Sequence, residues 1–580
     1  MTRTSQPVLG IRPPAASPRR WRARPVIAAT TVSALTAMSL AACGSDDASG
    51  GGSASDAGSV AASSINAQAR DDIRDGGTLT LPTTEISEQQ NTFHADGTLY
   101  TKDSWKWYNP QVMLLDGEGN YEANPDYVTD ISADTEDGKT VVRYTINDEA
   151  EYNDGTPIDW TSFENTWRSS NGEAEGYNIS SSDGYSLIQS VTRGVDDKEA
   201  VVTFEQEYPW WEGLFGFFVP PQVDNSETFN KGYLKDVHPE WGAGPYTIDR
   251  ADFNNGEMRF KRNDNWWGEP GKLDTFTWRA LESQATINAF QAGEIDGAGV
   301  ATKDNLATAR SMGSDKADIR TAMLPANYLI TLNSEAPLLE EDAVREAIMT
   351  GVDRSQLADI RFNGLDYTEE LPGSFTLFQT QDGYEDNFGA VVSFDPEKSR
   401  QILDDAGWTE DSDGVREKDG EKLEPRYVLL GDDPQGKAGA TALQKMLSDI
   451  GVRMKIEERP SADFSKVSSE RDFDIFQMGF RSGGPDGVAS FDQLYGSTSE
   501  LNYSGTGTEE LDKEIRELEK LGSADEQIAR SNELEKKALG TFGIMPTFNG
   551  PHIVAVKPGL ANYGAPGFAQ VAVQDIGWEK

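Results

Sequence analysis

The only cysteine of this chain, Cys43, limits more than any other residue how the remaining sequence can fold. With a single thiol, neither an intrachain disulfide nor a zinc site built from cysteines is possible. The residues that follow must therefore be held by hydrophobic cores and hydrogen bonds. Apolar residues make up 37% of the 580-residue chain, which is enough for such cores and argues against a wholly disordered protein.

The segment before Cys43 has the pattern of a secretion signal. An uncharged run of small and apolar residues over 26–42 follows a basic start with Arg19, Arg20, Arg22 and Arg24. The run ends in Leu40-Ala41-Ala42-Cys43, which resembles a bacterial lipobox and predicts lipidation of Cys43. Double acylation anchors a protein firmly, whereas a single chain does so only marginally. An ordinary signal peptide or a short membrane helix is the alternative, but 17 residues rich in Ala, Ser and Thr are weak for a span.

The composition after the predicted signal peptide (1–43) indicates a linker and then a folded, strongly acidic body. Residues 44–76 are rich in Gly, Ser, Ala and Asp, which predicts a flexible tether. The chain carries 97 acidic and 52 basic residues, a net charge of −45. Such a surface repels the phosphates of nucleic acids and anionic lipid head groups, so we expect no nucleic-acid partner.

Motifs for catalysis or metal binding are missing from the sequence. The three histidines, His94, His238 and His552, are far apart, and no nucleophile elbow, phosphate loop, dinucleotide fingerprint or HExxH occurs. We therefore predict a protein that is not an enzyme and has no cofactor. An envelope hydrolase with catalytic groups brought together from distant positions is a third-ranked alternative.

The body mixes short strands and helices. Strand patterns occur at 78–81, 139–146, 200–204, 328–332 and 426–430. A helix is predicted after Asp395 as N-cap, with Pro396 in its first turn and Gly407 as its terminator. Ser523 and Glu526 have the spacing of a capping box, and a helical pattern over 443–450 leads into a strand pattern over 452–456. This order favours an α/β architecture.

Six segments together resemble one protein family. They lie, in order, at 127–158, 242–268, 289–296, 333–354, 394–408 and 473–486, and include Tyr-Asn-Asp-Gly-Thr-Pro-Ile and Gly-Ala-Gly-Pro-Tyr. The chain from about 77 to about 566 is similar to the extracellular solute-binding proteins of ABC importers, in the oligopeptide/dipeptide-binding group (solute-binding family 5). Each motif alone is weak, and their common order makes the resemblance specific.

The resemblance implies an α/β, bilobed periplasmic-binding-protein-like fold (type II, cluster C) with an extra domain on lobe one. Lobe one is expected over 77–324, with the extra domain at about 109–234, lobe two over 325–540, and a return to lobe one over 541–580. The implied function is capture of a peptide or peptide-like solute by lobe closure and its delivery to membrane ABC permease subunits. The implied location is the extracytoplasmic face of the cell membrane, with acylated Cys43 in the lipid, and a monomer suffices for this role.

The resemblance also indicates where ligand is expected. It places an early strand segment, here around Glu85, and the start of lobe two, here Asn327, at the cleft. The aromatic cluster around 105–109 is a further candidate, although core packing explains aromatic residues equally well. Together with the stretch 479–486, the predicted ligand-binding residues are Glu85, Trp107, Tyr108, Asn109, Asn327, Phe480, Arg481 and Asp486.

One departure from the family pattern bears on the ligand. Relatives that bind peptides place an acidic residue three positions after the aromatic residue, where it holds the ligand's ammonium group, and this chain has Gly483 there. Asp486 can substitute only if the loop is rebuilt, while Arg481 is suited to a carboxylate or another anion.

The departure at Gly483 keeps a second function open, that of a family member which no longer feeds a transporter and acts as a regulatory or scaffold lipoprotein in cell-envelope assembly. Within import, sugar, haem or an already chelated metal such as nickel remains open as the ligand.

Overall fold

The computed structural model describes residues 63–482 and 484–580, which belong to one compact unit. Its strands are β1 (Ile73–Arg74), β2 (Thr78–Thr83), β3 (Met113–Leu115), β4 (Tyr121–Ala123), β5 (Val128–Glu136), β6 (Lys139–Ile146), β7 (Ile188–Arg193), β8 (Glu199–Phe204), β9 (Tyr246–Asp252), β10 (Glu257–Arg262), β11 (Thr275–Ala280), β12 (Gly297–Gly299), β13 (Asp318–Met323), β14 (Ala326–Leu332), β15 (Thr409–Glu410), β16 (Arg416–Lys418), β17 (Glu421–Lys422), β18 (Arg426–Leu430), β19 (Lys455–Arg459), β20 (Ile475–Arg481), β21 (Ile544–Phe548), β22 (Pro551–Val556), β23 (Leu560–Ala561) and β24 (Gly577–Glu579).

The α-helices of the described residues are α1 (Leu99–Tyr108), α2 (Trp160–Ser170), α3 (Ser226–Lys231), α4 (Ser283–Ala292), α5 (Lys303–Met312), α6 (Asp342–Thr350), α7 (Arg354–Phe362), α8 (Asn387–Val391), α9 (Pro396–Asp405), α10 (Pro434–Ser448), α11 (Phe464–Ser469), α12 (Phe491–Tyr495), α13 (Glu509–Leu518) and α14 (Ala524–Leu539). Within this part of the chain, none of them combines the length and apolar character that crossing a bilayer requires.

The strands form two groups that define two lobes. We call residues 63–324 with 549–580 lobe one, because they contain the sheets β2-β11-β10-β9, β12-β22-β13 and β1-β24-β23, and the separate sheet β5-β6-β8-β7 of the extra domain. Residues 325–548 are lobe two, built on the five-stranded sheet β19-β18-β20-β14-β21. In lobe two, helices α6, α7, α9 and α10 supply apolar side chains to one large core.

Most of the local predictions are confirmed. Strand patterns at 139–146 and 426–430 coincide with β6 and β18, and those at 78–81, 200–204 and 328–332 lie within β2, β8 and β14. Asp395 caps α9 by accepting hydrogen bonds from the backbone N–H groups of Glu397 and Lys398, and Gly407 has a φ of +85° just after the helix. Ser523 likewise caps α14 through the N–H of Glu526.

Two predicted boundaries are wrong. The tether expected over 44–76 does not extend to 76, because Ser64 pairs with Ala565 and Asn66 donates to the Leu560 carbonyl at 3.1 Å. The return to lobe one comes later than 541, because β21 pairs with β14 inside the sheet of lobe two. Only the next strand, β22, joins β12 and β13 in lobe one.

Candidate ligand-binding site

A cavity of about 510 Å³ lies where the two lobes face each other. Lobe one lines it with residues at the start of α1 and from the extra domain, and lobe two with residues from α11, the end of β20 and the segment after it. Its lining includes Lys102, Tyr121, Asp183, Trp210, Glu212, Gly216, Phe480, Arg481, Asp486 and Tyr503. Because both lobes contribute side chains to the cavity, a ligand can contact all of them only when the lobes are close together.

The end of β20, an inner strand of its sheet, has main-chain groups without a strand partner on one side, and its residues line this cavity. On one side, β14 pairs with β20 along its whole length, from Ile475 to Arg481. On the other side, β18 pairs only with Ile475 and Phe476, and the remaining residues have no described strand partner there. Residues 478–481 line the cavity. An unpaired edge of this kind offers N–H and C=O groups to an extended chain.

One part of the cavity wall is acidic. Asp486, which directly precedes a short 3₁₀ turn of lobe two, is hydrogen-bonded to the Tyr121 hydroxyl of lobe one. Burial raises the pKa of Asp486 to about 6. Burial and the nearby Asp486 together raise the pKa of Glu212. Two carboxyl groups from opposite lobes therefore face the same space and carry no cationic partner among the described residues.

Another part of the wall is basic. Lys102 on α1 and Arg481 at the end of β20 both line the cavity. Among the described residues, neither side chain takes part in a hydrogen bond or an ion pair, and the Lys102 ammonium lies 5.8 Å from the centre of the Phe217 ring. Burial lowers the pKa of Lys102. A ligand carboxylate placed there would relieve the cost of burying these cations.

Direct contacts hold the lobes together around the cavity. The Ser465 hydroxyl of lobe two donates to the Glu85 carboxylate of lobe one at 2.6 Å. Ser461 donates its N–H and its hydroxyl to Glu282 at 2.9 Å and 2.6 Å. On the side of the extra domain, the indole N–H of Trp210 donates to Gln527 on α14 at 2.7 Å. These contacts describe a closed arrangement of the two lobes.

Three of the eight predicted ligand-binding residues lie together on the cavity. Phe480, Arg481 and Asp486 line it, and the Phe480 ring packs against Phe375 and Tyr503. Glu85 does not line it, but it contributes to the lobe contact with Ser465. Cys43 and Gly483 lie outside the described residues.

The aromatic cluster on α1 is placed mainly in the core of lobe one. Trp107 is 1% exposed and stacks on Phe276 with ring centres 3.7 Å apart, although its edge reaches a smaller neighbouring cavity. Tyr108 and Asn109 have no exposed surface and line neither cavity. The reason is a close chain crossing, since the Tyr108 carbonyl accepts from the N–H groups of Ala243 and Gly244.

Asn327 is also buried beneath the cavity instead of on its surface. Its side chain donates to the Phe375 carbonyl at 3.2 Å and accepts from Asn549 at 2.6 Å. It lies opposite Phe480 in the β14–β20 pair. Its observed contacts therefore support the wall that carries Phe480.

Several residues that line the cavity were not predicted from the sequence. Tyr121, Asp183, Glu212 and Lys102 belong to segments that carry no recognisable ligand motif, and they meet the 480–486 stretch only after folding. No cluster of three potential metal-ligating His, Cys, Asp or Glu side chains is found in the described part of the chain.

Comparison with known proteins agrees with the geometry. The family model "Bacterial extracellular solute-binding proteins, family 5 Middle" matches residues 122–502. The oligopeptide-binding protein OppA of Mycobacterium tuberculosis is 34% identical over 526 residues, which cover 89% of this chain and 87% of that protein.

Solved structures show the same fold. The periplasmic EDTA-binding protein EppA superposes with a TM-score of 0.75 at 21% identity, covering 89% of this chain and 98% of EppA. The oligopeptide-binding protein AppA of Bacillus subtilis, in complex with a nonapeptide, gives a TM-score of 0.73 at 17% identity, covering 88% and 100%. The predicted family and fold class are confirmed: the chain belongs to family 5 of the bacterial extracellular solute-binding proteins.

Proposed function

We propose that this protein binds peptides in the cavity between its lobes and delivers them to an ABC importer. The observation that carries the proposal is the cavity itself, which combines an unpaired strand edge with an acidic and a basic wall. An extended peptide supplies the complementary groups, namely main-chain N–H and C=O groups, one ammonium and one carboxylate. Pairing of main chain with main chain gives affinity with little dependence on side chains.

The two charged walls orient such a ligand. Asp486 and Glu212 provide carboxylates for the ammonium group, a role that the sequence left in doubt because of Gly483. Lys102 and Arg481 provide cations for the carboxylate. A buried charge is tolerated when it finds a partner, so a zwitterionic ligand is favoured over a neutral one.

Closure couples this binding to delivery. Ligand contacts to both lobes add to the contacts that Glu85, Glu282 and Trp210 make across the cleft. A ligand shifts the open–closed equilibrium only by its differential affinity for the two states, and a cavity lined by both lobes provides that difference. The closed form then presents both lobes to the permease.

Calorimetric titration of the purified protein with free tri- to hexapeptides tests this function. Gly216→Leu supplies a matched variant, because Gly216 lines the cavity and a Cβ there meets no atom within 4 Å. Gly299→Leu is its control, since Gly299 also has open space but lies in β12, away from the cavity. We expect peptide binding that Gly216→Leu weakens by about tenfold or more and Gly299→Leu leaves unchanged.

Absence of binding by every peptide would contradict the proposal and favour the regulatory lipoprotein. Sugars, haem and chelated nickel belong in the same titration, because heat from one of them alone would replace peptide as the ligand. A heat signal insensitive to Gly216→Leu would place binding elsewhere.

Membrane anchoring through Cys43 is the second part of the proposal. Its support is the lipobox-like sequence, and the family implies an extracytoplasmic location. In cells grown with labelled palmitate, the wild type is expected to carry label in the membrane fraction. Cys43→Ser should lose both the label and the membrane association, and a labelled Cys43→Ser protein would contradict the anchor.

A further inference from the structure

A second, smaller cavity opens beside the first. It measures about 230 Å³, and we call it the second chamber. Both cavities share the lining residues Leu99, Lys102, Phe217, Arg481, Ser482 and Gln570. A ligand lying in the main cavity can therefore extend a group into the second chamber at the level of Lys102 and Arg481.

The second chamber is mainly apolar. Its walls include Trp107, Trp278, Leu324, Phe568, Val571 and Ile576. An apolar cavity of about 150 Å³ is large enough to bind benzene, so this chamber has room for an aromatic or branched aliphatic group. Burying such a group there removes its surface from water, which is favourable.

The charged groups around the second chamber carry an excess of positive charge, because Lys102, Lys106 and Arg481 line it together with one carboxylate, Asp103. Asp103 already pairs with Lys106 at 2.9 Å. His552 lines the chamber, and burial together with Arg481 lowers its pKa to about 3, so its imidazole is neutral at physiological pH. Lys102 and Arg481 also help to lower the pKa of Asp103, so its carboxylate offsets part of their charge, but neither cation forms a hydrogen bond or an ion pair within the described chain.

The acidic wall lies outside this chamber. Asp486 and Glu212 line the main cavity but not the second chamber. Neither carboxyl group forms an ion pair with a cation of the described residues, so both are available to a ligand's ammonium group. The ligand's carboxylate can therefore bind at the basic wall while its ammonium group binds at the acidic wall.

We propose that the second chamber takes the apolar side chain of a peptide's carboxyl-terminal residue while Lys102 and Arg481 bind that residue's carboxylate. The inference rests on the proposed function and adds a selectivity to it, for peptides that end in a large apolar residue. In a carboxyl-terminal residue the same carbon carries the side chain and the free carboxylate. This arrangement matches the second chamber, which has two cations at its opening to the main cavity and apolar walls inside.

Four peptides of one length test the end-group preference by calorimetric titration of the whole protein: Ala-Ala-Ala-Ala-Phe, its carboxyl-terminal amide, penta-alanine, and Phe-Ala-Ala-Ala-Ala. The first peptide should bind at least about tenfold more tightly than each of the others. Equal affinity of the acid and the amide, or tighter binding of the peptide with Phe at its amino end, would overturn the inference. If none of the four binds, the proposed peptide-binding function itself fails.

Variants separate the two parts of the subsite. Arg481→Gln should remove most of the difference between acid and amide, whereas Lys445→Gln, which changes an exposed lysine of lobe two, should keep it. Ala569 lines only the second chamber, so Ala569→Leu should weaken binding of Ala-Ala-Ala-Ala-Phe and leave penta-alanine unchanged. Equal weakening of both peptides by Ala569→Leu would show that the chamber does not hold the terminal side chain.

Discussion

Asp486 is a cavity residue whose charge changes between pH 5 and pH 7. Burial raises its pKa to about 6, so the carboxyl group is mostly neutral near pH 5 and mostly ionised near pH 7. A peptide ammonium stays protonated over this interval, since its ordinary pKa is about 7.7–8.0. Relative to the same peptides acetylated at the amino end, peptides with a free amino end should therefore gain roughly tenfold in affinity from pH 5 to pH 7.

Titration calorimetry at several pH values checks this dependence. Asp486→Asn should remove most of it, because an amide can still accept from Tyr121 but cannot ionise. Glu212, the other carboxyl group on this wall, accounts for any remainder. Amino-acetylated peptides are the control and should show no rise. An unchanged pH profile in Asp486→Asn would assign the ammonium contact to another group.

The position of a single residue on the cavity could be predicted from the sequence where a family motif placed that residue on one strand or in the loop after it. Phe480, Arg481 and Asp486 are such residues. Tyr108 and Asn109 illustrate the limit, because an aromatic cluster on a helix has the same pattern whether it packs in a core or stacks on a ligand. The position of Glu212 on the cavity could not be predicted from the sequence, because Glu212 meets Asp486 only when the extra domain docks against lobe two.

At the scale of elements, the contact between the extra domain and α14 connects closure to one hydrogen bond. Trp210 donates its indole N–H to Gln527, whose own amide donates to the Leu521 carbonyl. Trp210→Phe keeps an aromatic ring but removes the donor, leaving a buried acceptor unpaired, at a cost of about 1–3 kcal/mol. Opening the lobes lets water reach that acceptor, so the variant should favour the open form.

Small-angle scattering and peptide titration measure this effect. The ligand-free Trp210→Phe protein should have a larger radius of gyration than the wild type and a peptide affinity several-fold lower. Trp266→Phe is the matched control, because the Trp266 indole donates to the Glu269 carbonyl within lobe one. Identical scattering of the wild type and Trp210→Phe would mean that this hydrogen bond does not bias closure.

Helices and strands were predicted most accurately where the residues at their own ends determine where they begin and end. The N-cap Asp395 and the following Pro396 placed α9 correctly. The strand expected at 452–456 begins at Lys455 instead, because Val452 and Met454 are apolar residues buried in the lobe-two core before β19 pairs with β18. Which strand joins which lobe, as for β21, depends on pairing partners more than 200 residues away and is not encoded locally.

At the scale of the whole molecule, closure brings together carboxyl groups from both lobes. Asp183 of the extra domain accepts from the backbone N–H of Gln493 in lobe two at 3.3 Å. Burial, Asp492 and Glu519 raise the pKa of Asp183 well above its ordinary value. Burial and Asp492 raise the pKa of Glu519 to about 7, although Arg516 and Lys520 oppose this. Burial and Asp512 raise the pKa of Asp492, against the opposing effect of Arg516.

This cluster predicts that closure takes up protons. Opening the lobes separates Asp183 from Asp492 and Glu519 and lets water reach it, so its pKa should fall toward the ordinary value. The closed form therefore binds more protons than the open form at intermediate pH, and the closed-to-open ratio must fall as the pH rises. Each unit by which closure raises a pKa changes that ratio roughly tenfold once the pH exceeds the closed-state pKa.

Scattering of the ligand-free protein should accordingly give a smaller radius of gyration near pH 5.5 than near pH 8. Asp183→Asn should be more closed than the wild type near pH 8 and respond less to pH, because the amide keeps an acceptor for Gln493 and has no charge to repel Asp492. Asp197→Asn, at an exposed carboxylate of the same extra domain, should behave as the wild type. A radius that is constant over this range, or equally pH-dependent in Asp183→Asn, would show that the cluster does not control closure. A radius of gyration that grows with pH would mean that acidic solution favours the closed form, which is the form offered to the permease. The carboxyl groups responsible come together only when both lobes meet.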